Sequence, residues 1–142
     1  MQDTMTHDRE AAFHDAWADG TPLEKVRVRE CFEAPTALEN RFILHRMGPL
    51  CGKKLLDIGA GLGESSVYFA LQGAHVTTVD ISRGMVEKAL QLGRRYGVEL
   101  EGIVSVAENL NLPEEQYDIV YIANTIHHVQ DRASLFEQVN RA

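Results

Sequence analysis

The chain has 142 residues, 44% hydrophobic and 25% charged, a composition typical of one globular domain long enough to bury a core. Twenty-one acidic residues against 14 basic ones give a net charge of −7, which suits a nucleic-acid backbone poorly, so we expect no nucleic-acid partner. The apolar runs at 67–71 and 119–123 are far shorter than the roughly 20 residues of a membrane helix, and residues 1–4 lack signal-peptide character, so we expect no membrane association.

Cysteine and histidine spacing favours neither disulfides nor a metal site. Cys31 and Cys51 lie far apart and form no CxxC pair, so we expect two free thiols in a reducing, cytoplasmic compartment. Four histidines show none of the spacings typical of metal ligands, namely His7, His14, His45 and His75. We therefore expect no metal.

The first third of the chain divides into an arm and the start of a folded domain. Residues 1–34 are polar and mixed, which predicts a helical or partly disordered arm, whereas residues 35–142 are expected to form the domain. Thr36 and Glu39 have the spacing of a capping box at a helix start. Four apolar residues at helical spacing follow and are predicted to lie in the core: Leu38, Phe42, Ile43 and Met47.

From residue 54 onward, strand-like and helix-like segments alternate. The expected elements are a strand at 54–58, a helix at 64–71, a strand at 75–80, a helix capped by Ser82 and ended by Gly97, a weaker strand at 102–106, a strand at 117–123 and a helix capped by Asp131. This order predicts an α/β fold with a parallel sheet of about four strands and helices on both faces.

A glycine-rich turn after the first strand suggests a ligand site. Gly59, Gly61 and Gly63 allow a tight turn and a close approach of the backbone to a ligand, although a glycine turn alone is also a common structural feature. Asp80 ends the next strand, 17 residues beyond Gly63, where a carboxylate can accept hydrogen bonds from both hydroxyls of a ribose.

The spacing of the glycines argues against a dinucleotide. A nicotinamide fingerprint reads GxGxxG, whereas this turn reads GxGxG and places Glu64 at the third glycine position, where it would repel a pyrophosphate. Asp57 and Glu64 are suited to balancing an ammonium and a sulfonium charge. These residues favour S-adenosylmethionine as the ligand.

Residues 57–63 (Asp-Ile-Gly-Ala-Gly-Leu-Gly) resemble the first motif of the class I S-adenosylmethionine-dependent methyltransferases. Residues 76–82 are similar to the second-strand motif of that family, and segments at 107–113, 117–120 and 126–129 resemble the surroundings of strand four in its small-molecule branch. The match runs from about 53 to 141. The resemblance implies a Rossmann-like fold that is incomplete relative to the seven-strand methyltransferase fold, with the chain truncated before the fifth strand.

The resemblance also implies site residues. Gly59 and Gly61 would lie against the methionine part of the cofactor and Asp80 on the ribose, with Asp57, Ala60 and Gly63 also among the cofactor-binding residues. Other implied contacts are Ile81 and Met85 flanking the adenine, Ala107 and Glu108 at its edge, and Asn124 near the methionine amino group. One departure stands out, since many relatives carry Asp at the position of Val106, which leaves the adenine contact to Glu108 or the backbone.

Methyl transfer to a small-molecule acceptor by direct displacement is the activity that the resemblance implies, with no covalent nucleophile. His127, His128 and His14 are candidate bases near the acceptor, although the favoured interpretation of the first two is loop histidines that cap strand four and pack on the cofactor. Two alternatives stay open: a non-catalytic module that binds S-adenosylmethionine or S-adenosylhomocysteine and needs a partner chain, and a nicotinamide- or flavin-binding protein, which the GxGxG spacing disfavours.

Strand four predicts a possible interface. Nothing after residues 119–123 is expected to pair the outer edge of this apolar strand, and such an edge is a template for pairing with another chain. A homodimer or a partner chain bound through this strand is therefore one expectation, and an aggregation-prone edge is the other.

Overall fold

The computed structural model describes residues 2–142. The helices are α1 (Gln2–Gly20), α2 (Glu30–Glu33), α3 (Leu38–Met47), α4 (Glu64–Leu71), α5 (Arg83–Tyr96) and α6 (Arg132–Arg141). The strands are β1 (Lys54–Ile58), β2 (His75–Asp80), β3 (Glu101–Val104) and β4 (Ile119–Ile122). Two short 3-10 turns lie at Leu23–Lys25 and Ala107–Asn109. No helix within residues 2–142 is long and apolar enough to cross a membrane.

The four strands form one parallel sheet in the order β3-β2-β1-β4. In the register, Leu55 of β1 lies opposite Val76 of β2 and Ile119 of β4, so β1 is central and β4 is an edge strand. Parallel order brings the carboxyl ends of all four strands to one edge of the sheet, where open α/β sheets bind their ligands.

Side chains alternate along β1 and feed two separate apolar cores. Leu55 belongs to the larger core, under α4 and α5, where the Phe32 and Tyr68 rings stack with centroids 4.4 Å apart. Leu56 and Ile58 belong to the smaller core, which α6 covers with Leu135. Full burial of each such side chain contributes about 1.5–3 kcal/mol. The predicted α/β fold with helices on both faces is confirmed.

Residues of the predicted arm take part in the folded structure. Helix α1 packs against α5, and Ala18 is buried in that contact. Val28 and Phe32, further along the same segment, lie in the larger core beneath β1. Burial of these side chains fixes the segment 18–32 to the sheet-bearing part of the chain.

The helix ends of the central segment follow the local signals in the sequence. Ser82 caps α5 by accepting a hydrogen bond from the Met85 amide at 3.0 Å, and Gly97 ends the helix in the left-handed conformation at φ 75°. Asp131 caps α6 by accepting from the Ser134 amide at 3.0 Å. These three predictions are confirmed.

The predicted capping box before α3 is wrong. The helix begins at Leu38 with Ala37 in the N-cap position, and no side chain accepts a hydrogen bond there. The Ala37 amide instead donates to the carbonyl of Ala34, so residues 34–37 form a turn that leaves Thr36 one residue too early to cap.

Two of the four predicted core residues of α3 are also wrong. Leu38 and Phe42 are 70% and 65% exposed, whereas Ile43 and Met47 pack against the larger core. The two pairs occupy neighbouring stripes of one helix, and within the described residues only the second stripe faces the core.

The third and fourth strands are displaced or shorter than predicted. The strand expected at 102–106 runs from Glu101 to Val104, and the strand expected at 117–123 runs from Ile119 to Ile122. Asn124 stops the fourth strand because it adopts a left-handed conformation at φ 55°.

Candidate active site

Three glycines turn the chain at the carboxyl end of β1. Gly59, Gly61 and Gly63 have φ values of 72°, 56° and 90°, a region that residues with a Cβ rarely adopt. A Cβ on Gly63 would lie 2.5 Å from the Cβ of Ala89, so this glycine permits the close packing of the turn on α5. A Cβ on Gly61 would meet nothing within 4 Å, which leaves its backbone open to a ligand.

The turn is held on both sides by neighbouring strands. The amides of Gly59 and Ala60 donate to the Val79 carbonyl of β2 at 2.8 and 3.0 Å. On the other side, Thr125, after β4, occupies the space of the missing Gly59 side chain, since a Cβ there would lie 2.0 Å from the Thr125 hydroxyl oxygen. The glycine turn is thus fixed before any ligand binds.

Asp80 ends β2 with both carboxylate oxygens anchored. One oxygen accepts from the Gly61 amide at 3.0 Å and the other from the Ser82 amide at 3.0 Å. The residue is 9% exposed and lines the cavity described below. Each oxygen retains a lone pair, so the carboxylate presents two aligned acceptors to a ligand with adjacent hydroxyl groups.

Helix α1 is attached over this edge of the sheet through Asp15. Its carboxylate accepts from the Ser82 hydroxyl and, at 2.8 Å, from the Gly84 amide, at the start of α5. These hydrogen bonds, that of Ser82 foremost, lower the pKa of Asp15. A Cβ on Gly84 would lie 3.0 Å from the Asp15 carboxylate and 3.3 Å from Ala18, so the missing side chain allows the two helices to approach.

A second attachment joins α1 to the loop after β4. The Glu10 carboxylate lies 3.0 Å from Nδ1 of His128. His14, one turn further along α1, stacks on Trp17 with ring centroids 5.9 Å apart and meets the edge of the His128 ring at 6.5 Å. Helix α1 therefore closes one side of the space above the glycine turn.

These elements enclose a cavity of about 310 Å³ at the carboxyl ends of the strands. The predicted site residues that line it are Gly59, Gly61, Asp80, Ile81, Met85, Ala107, Glu108, Asn124, His14 and His128. The fold thus brings together residues that are far apart in the sequence, such as His14 and His128, which are separated by 114 positions. Four predicted residues lie outside the lining, namely Asp57, Ala60, Gly63 and His127, and their roles stay predictions.

Among the cavity-wall residues that sequence reasoning missed, Glu10 and Thr125 make specific contacts. Glu10 was not singled out, although Glu10, His14 and Trp17 follow one another at i, i+4 and i+7 and so form one stripe of a helix. Thr125 was missed because its role depends on the space beside Gly59, which no local pattern reveals.

The charges around the cavity have one sign. Among the described residues, no lysine or arginine lines it. The cavity is lined by four carboxylates, those of Glu10, Glu64, Asp80 and Glu108. Burial raises the pKa of Glu64. Glu108 accepts from the Gln130 amide at 2.8 Å and so joins the segments before and after β4. Such a lining repels phosphates and favours a cationic ligand.

Asp57 lies beneath the turn rather than in the cavity wall. It is 1% exposed and accepts hydrogen bonds from the hydroxyls of Ser65 and Ser66, both at 2.7 Å. Burial raises the pKa of Asp57 to about 6. The hydrogen bonds from the two hydroxyls offset only part of this increase, and the nearby Asp80 and Glu64 carboxylates add to it. At neutral pH this carboxylate is a buried charge that costs folding free energy.

Replacing Asp57 with asparagine is expected to raise the free energy of unfolding at pH 7 by on the order of 1–3 kcal/mol, because an amide oxygen still accepts from the serines without burying a charge. In the wild type, Asp57 holds its proton more tightly in the folded state than in the unfolded state. Its contribution to the free energy of unfolding therefore falls as the pH rises from about 4 to 6. Urea unfolding at pH 4.5 and 7, with the exposed Asp19→Asn as control, measures both effects. A gain of equal size at the two pH values would contradict this account.

No group of three or more potential metal ligands occurs in the described part of the chain.

Comparison with known proteins gives the family. A model described as a methyltransferase domain matches residues 56–142, which is more than half of the chain. The chain belongs to this family. The resemblance to class I S-adenosylmethionine-dependent methyltransferases, predicted from the glycine turn and the strand-two motif, is confirmed.

Two relatives show how much of each enzyme's length this methyltransferase-domain chain matches. It is 38% identical over 88 residues to a phosphoethanolamine N-methyltransferase of Triticum aestivum, an alignment covering 60% of the chain and 17% of the relative. It is 30% identical over 132 residues to a ubiquinone biosynthesis O-methyltransferase of Xylella fastidiosa, covering 92% of the chain and 51% of the relative. The chain spans about half or less of the length of these relatives.

A solved structure also matches the methyltransferase domain over part of its own length. Phosphoethanolamine N-methyltransferase 2 of Haemonchus contortus, in complex with phosphomonomethylethanolamine and S-adenosylhomocysteine, matches with a TM-score of 0.65 and 31% identity. The match covers 74% of this chain and 25% of that one.

Proposed function

We propose that this protein binds S-adenosylmethionine in the cavity above the glycine turn and transfers its methyl group to a small-molecule acceptor. The observation that carries the proposal is Asp80, whose two oxygens are aligned by backbone amides beside an acidic cavity. Membership of the methyltransferase family supports the same function.

The residues present fit this cofactor in charge and in shape. Asp80 is placed to accept from both ribose hydroxyls, and the open backbone at Gly61 leaves room for the methionine part. Ile81 and Met85 offer apolar contacts to an adenine, with Glu108 at its edge. A ligand with an ammonium and a sulfonium group suits the acidic lining, whereas the phosphates of a dinucleotide do not.

The reaction needs orientation rather than a covalent intermediate. The cofactor supplies an electrophilic methyl group on a sulfonium. The chain contributes a fixed glycine turn, the anchored Asp80 and a wall formed by α1 that keeps water from one side of the cavity. Holding the two reactants in line is the larger part of such catalysis.

Isothermal titration of the purified chain with S-adenosylhomocysteine, beside NAD, tests the proposal. Stoichiometric binding of S-adenosylhomocysteine with no binding of NAD is the expected result. Binding of NAD, or the absence of S-adenosylhomocysteine binding by a chain with a folded circular dichroism spectrum, would contradict it. Methyl transfer from radiolabelled S-adenosylmethionine to catechol and ethanolamine then measures turnover.

We also propose that β4 is an interface, either between two copies of the chain or with a partner chain, in a cytoplasmic setting that keeps Cys31 and Cys51 reduced. Within the described residues the outer edge of β4 has no strand beside it, and the N–H and C=O groups of this strand of apolar residues are available for pairing. A mass that rises with concentration in sedimentation equilibrium supports a homodimer, and a concentration-independent monomer contradicts it.

A further inference from the structure

Glu10 and His128 form a carboxylate–imidazole pair in the cavity wall. The Glu10 oxygen lies 3.0 Å from Nδ1 of His128, with side-chain exposures of 20% and 48% respectively. Both residues line the cavity, whereas the neighbouring His127 does not. With Nδ1 engaged by the carboxylate, Nε2 is the nitrogen of His128 that is left to exchange a proton with a ligand.

Several charged groups surround this imidazole. Helix α1 contributes His7 and His14 besides Glu10, and the segment before β4 contributes Glu108. Within its own loop, the His127 ring lies 4.0 Å from the His128 ring, and Arg132 donates to the carbonyl of Ile126. Of the two carboxylates among these residues, Glu10 is the one that lies within 4 Å of a nitrogen of His128.

We propose that Glu10 is a positioning residue that orients His128, and that His128 accepts the proton of the methyl acceptor through Nε2. The inference rests on the proposed methyl transfer and deepens it by naming the acid–base group and the class of acceptor. A carboxylate that contacts one imidazole nitrogen fixes the orientation of the ring and stabilises the imidazolium that forms when the other nitrogen takes a proton.

The proton and electron balance defines the acceptor class. A lone pair on the acceptor oxygen or nitrogen forms the new bond to the methyl carbon, and the carbon–sulfur bond breaks with its electron pair going to sulfur. The proton of the acceptor passes to Nε2 of His128. The acceptor is therefore a hydroxyl or amino compound, and the absence of Lys and Arg from the described cavity lining favours a neutral or cationic one over a phosphoester.

Carbethoxylation by diethylpyrocarbonate, followed residue by residue with peptide mass spectrometry, tests the pair without cofactor or acceptor. The reagent attacks the unprotonated imidazole. In Glu10→Gln, His128 is expected to react about two to three times faster, because loss of the charge-assisted contact at Nδ1 leaves the ring and that nitrogen more accessible to the reagent. The exposed Asp8→Asn on the same helix is the matched control, and His75, at the opposite edge of the sheet, is the internal reference.

A rate at His128 that is the same in the wild type and in Glu10→Gln overturns the proposal, whether or not either acceptor probe is methylated. Equal acceleration of His75 or in Asp8→Asn also overturns it, since the change would then be nonspecific. Where catechol or ethanolamine is methylated, His128→Gln should lower kcat about 100-fold. It should leave S-adenosylhomocysteine binding within twofold of the wild type. Unchanged kcat rejects the acid–base role, while absent S-adenosylhomocysteine binding in the wild type rejects the proposed function instead.

Discussion

Replacing Asp80 with alanine is expected to weaken S-adenosylhomocysteine binding by about 100-fold or more. Each hydrogen bond to a charged group contributes about 1.5–3 kcal/mol, and the variant loses the acceptor proposed for both ribose hydroxyls. The loss also frees the Gly61 amide, which Asp80 now holds at 3.0 Å. Isothermal titration of the wild type and the variant measures the ratio directly.

Two further variants make the Asp80 experiment specific. Glu87→Ala removes a carboxylate from the exposed face of α5, seven residues beyond Asp80, and should bind within twofold of the wild type. Asp80→Asn retains one oxygen acceptor and should fall between the two. If Asp80→Ala binds S-adenosylhomocysteine as tightly as Glu87→Ala does, the ribose contact assigned to Asp80 is wrong.

Replacing Gly63 with alanine is expected to lower the free energy of unfolding by about 3 kcal/mol or more. The new Cβ would lie 2.5 Å from the Ala89 Cβ and 2.8 Å from its Cα, and backbone cannot yield as a flexible side chain does. The left-handed conformation at φ 90° adds about 1 kcal/mol. Urea unfolding followed by circular dichroism gives the difference.

Gly97→Ala separates the two causes. Gly97 also has a positive φ, of 75°, but a Cβ there meets nothing within 4 Å, so its substitution should cost only about 1 kcal/mol. An equal loss of stability in Gly63→Ala and Gly97→Ala would mean that contact with Ala89 is not what demands glycine in the turn.

Much of the central part of the fold could be predicted because its signals are local. The Ser82 cap and the Gly97 terminus are set by residues within a few positions of each other, and β1 reads as an apolar run closed by Gly59. The positions of Asp80 and the glycine turn at one edge then follow from parallel strand order.

The remainder depended on contacts between distant segments. Periodicity placed Leu38 and Phe42 on a helix, but it does not tell which stripe meets a core. The docking of α1 rests on Asp15 meeting Ser82, which is 67 residues away, and on space beside Gly84. Neither feature can be predicted from a local helix or turn pattern.

The attachment of α1 has a consequence for residues 2–20. The helix is held by Asp15 at α5 and by Glu10 at His128, and it supplies part of the cavity wall. A ligand in the cavity gains its contacts with Glu10, His14 and Trp17 only while the helix is docked. By reciprocity, occupancy stabilises the docked helix by the same free energy that docking adds to binding. We therefore expect the backbone amides of α1 to exchange their hydrogens with solvent more slowly when a ligand fills the cavity.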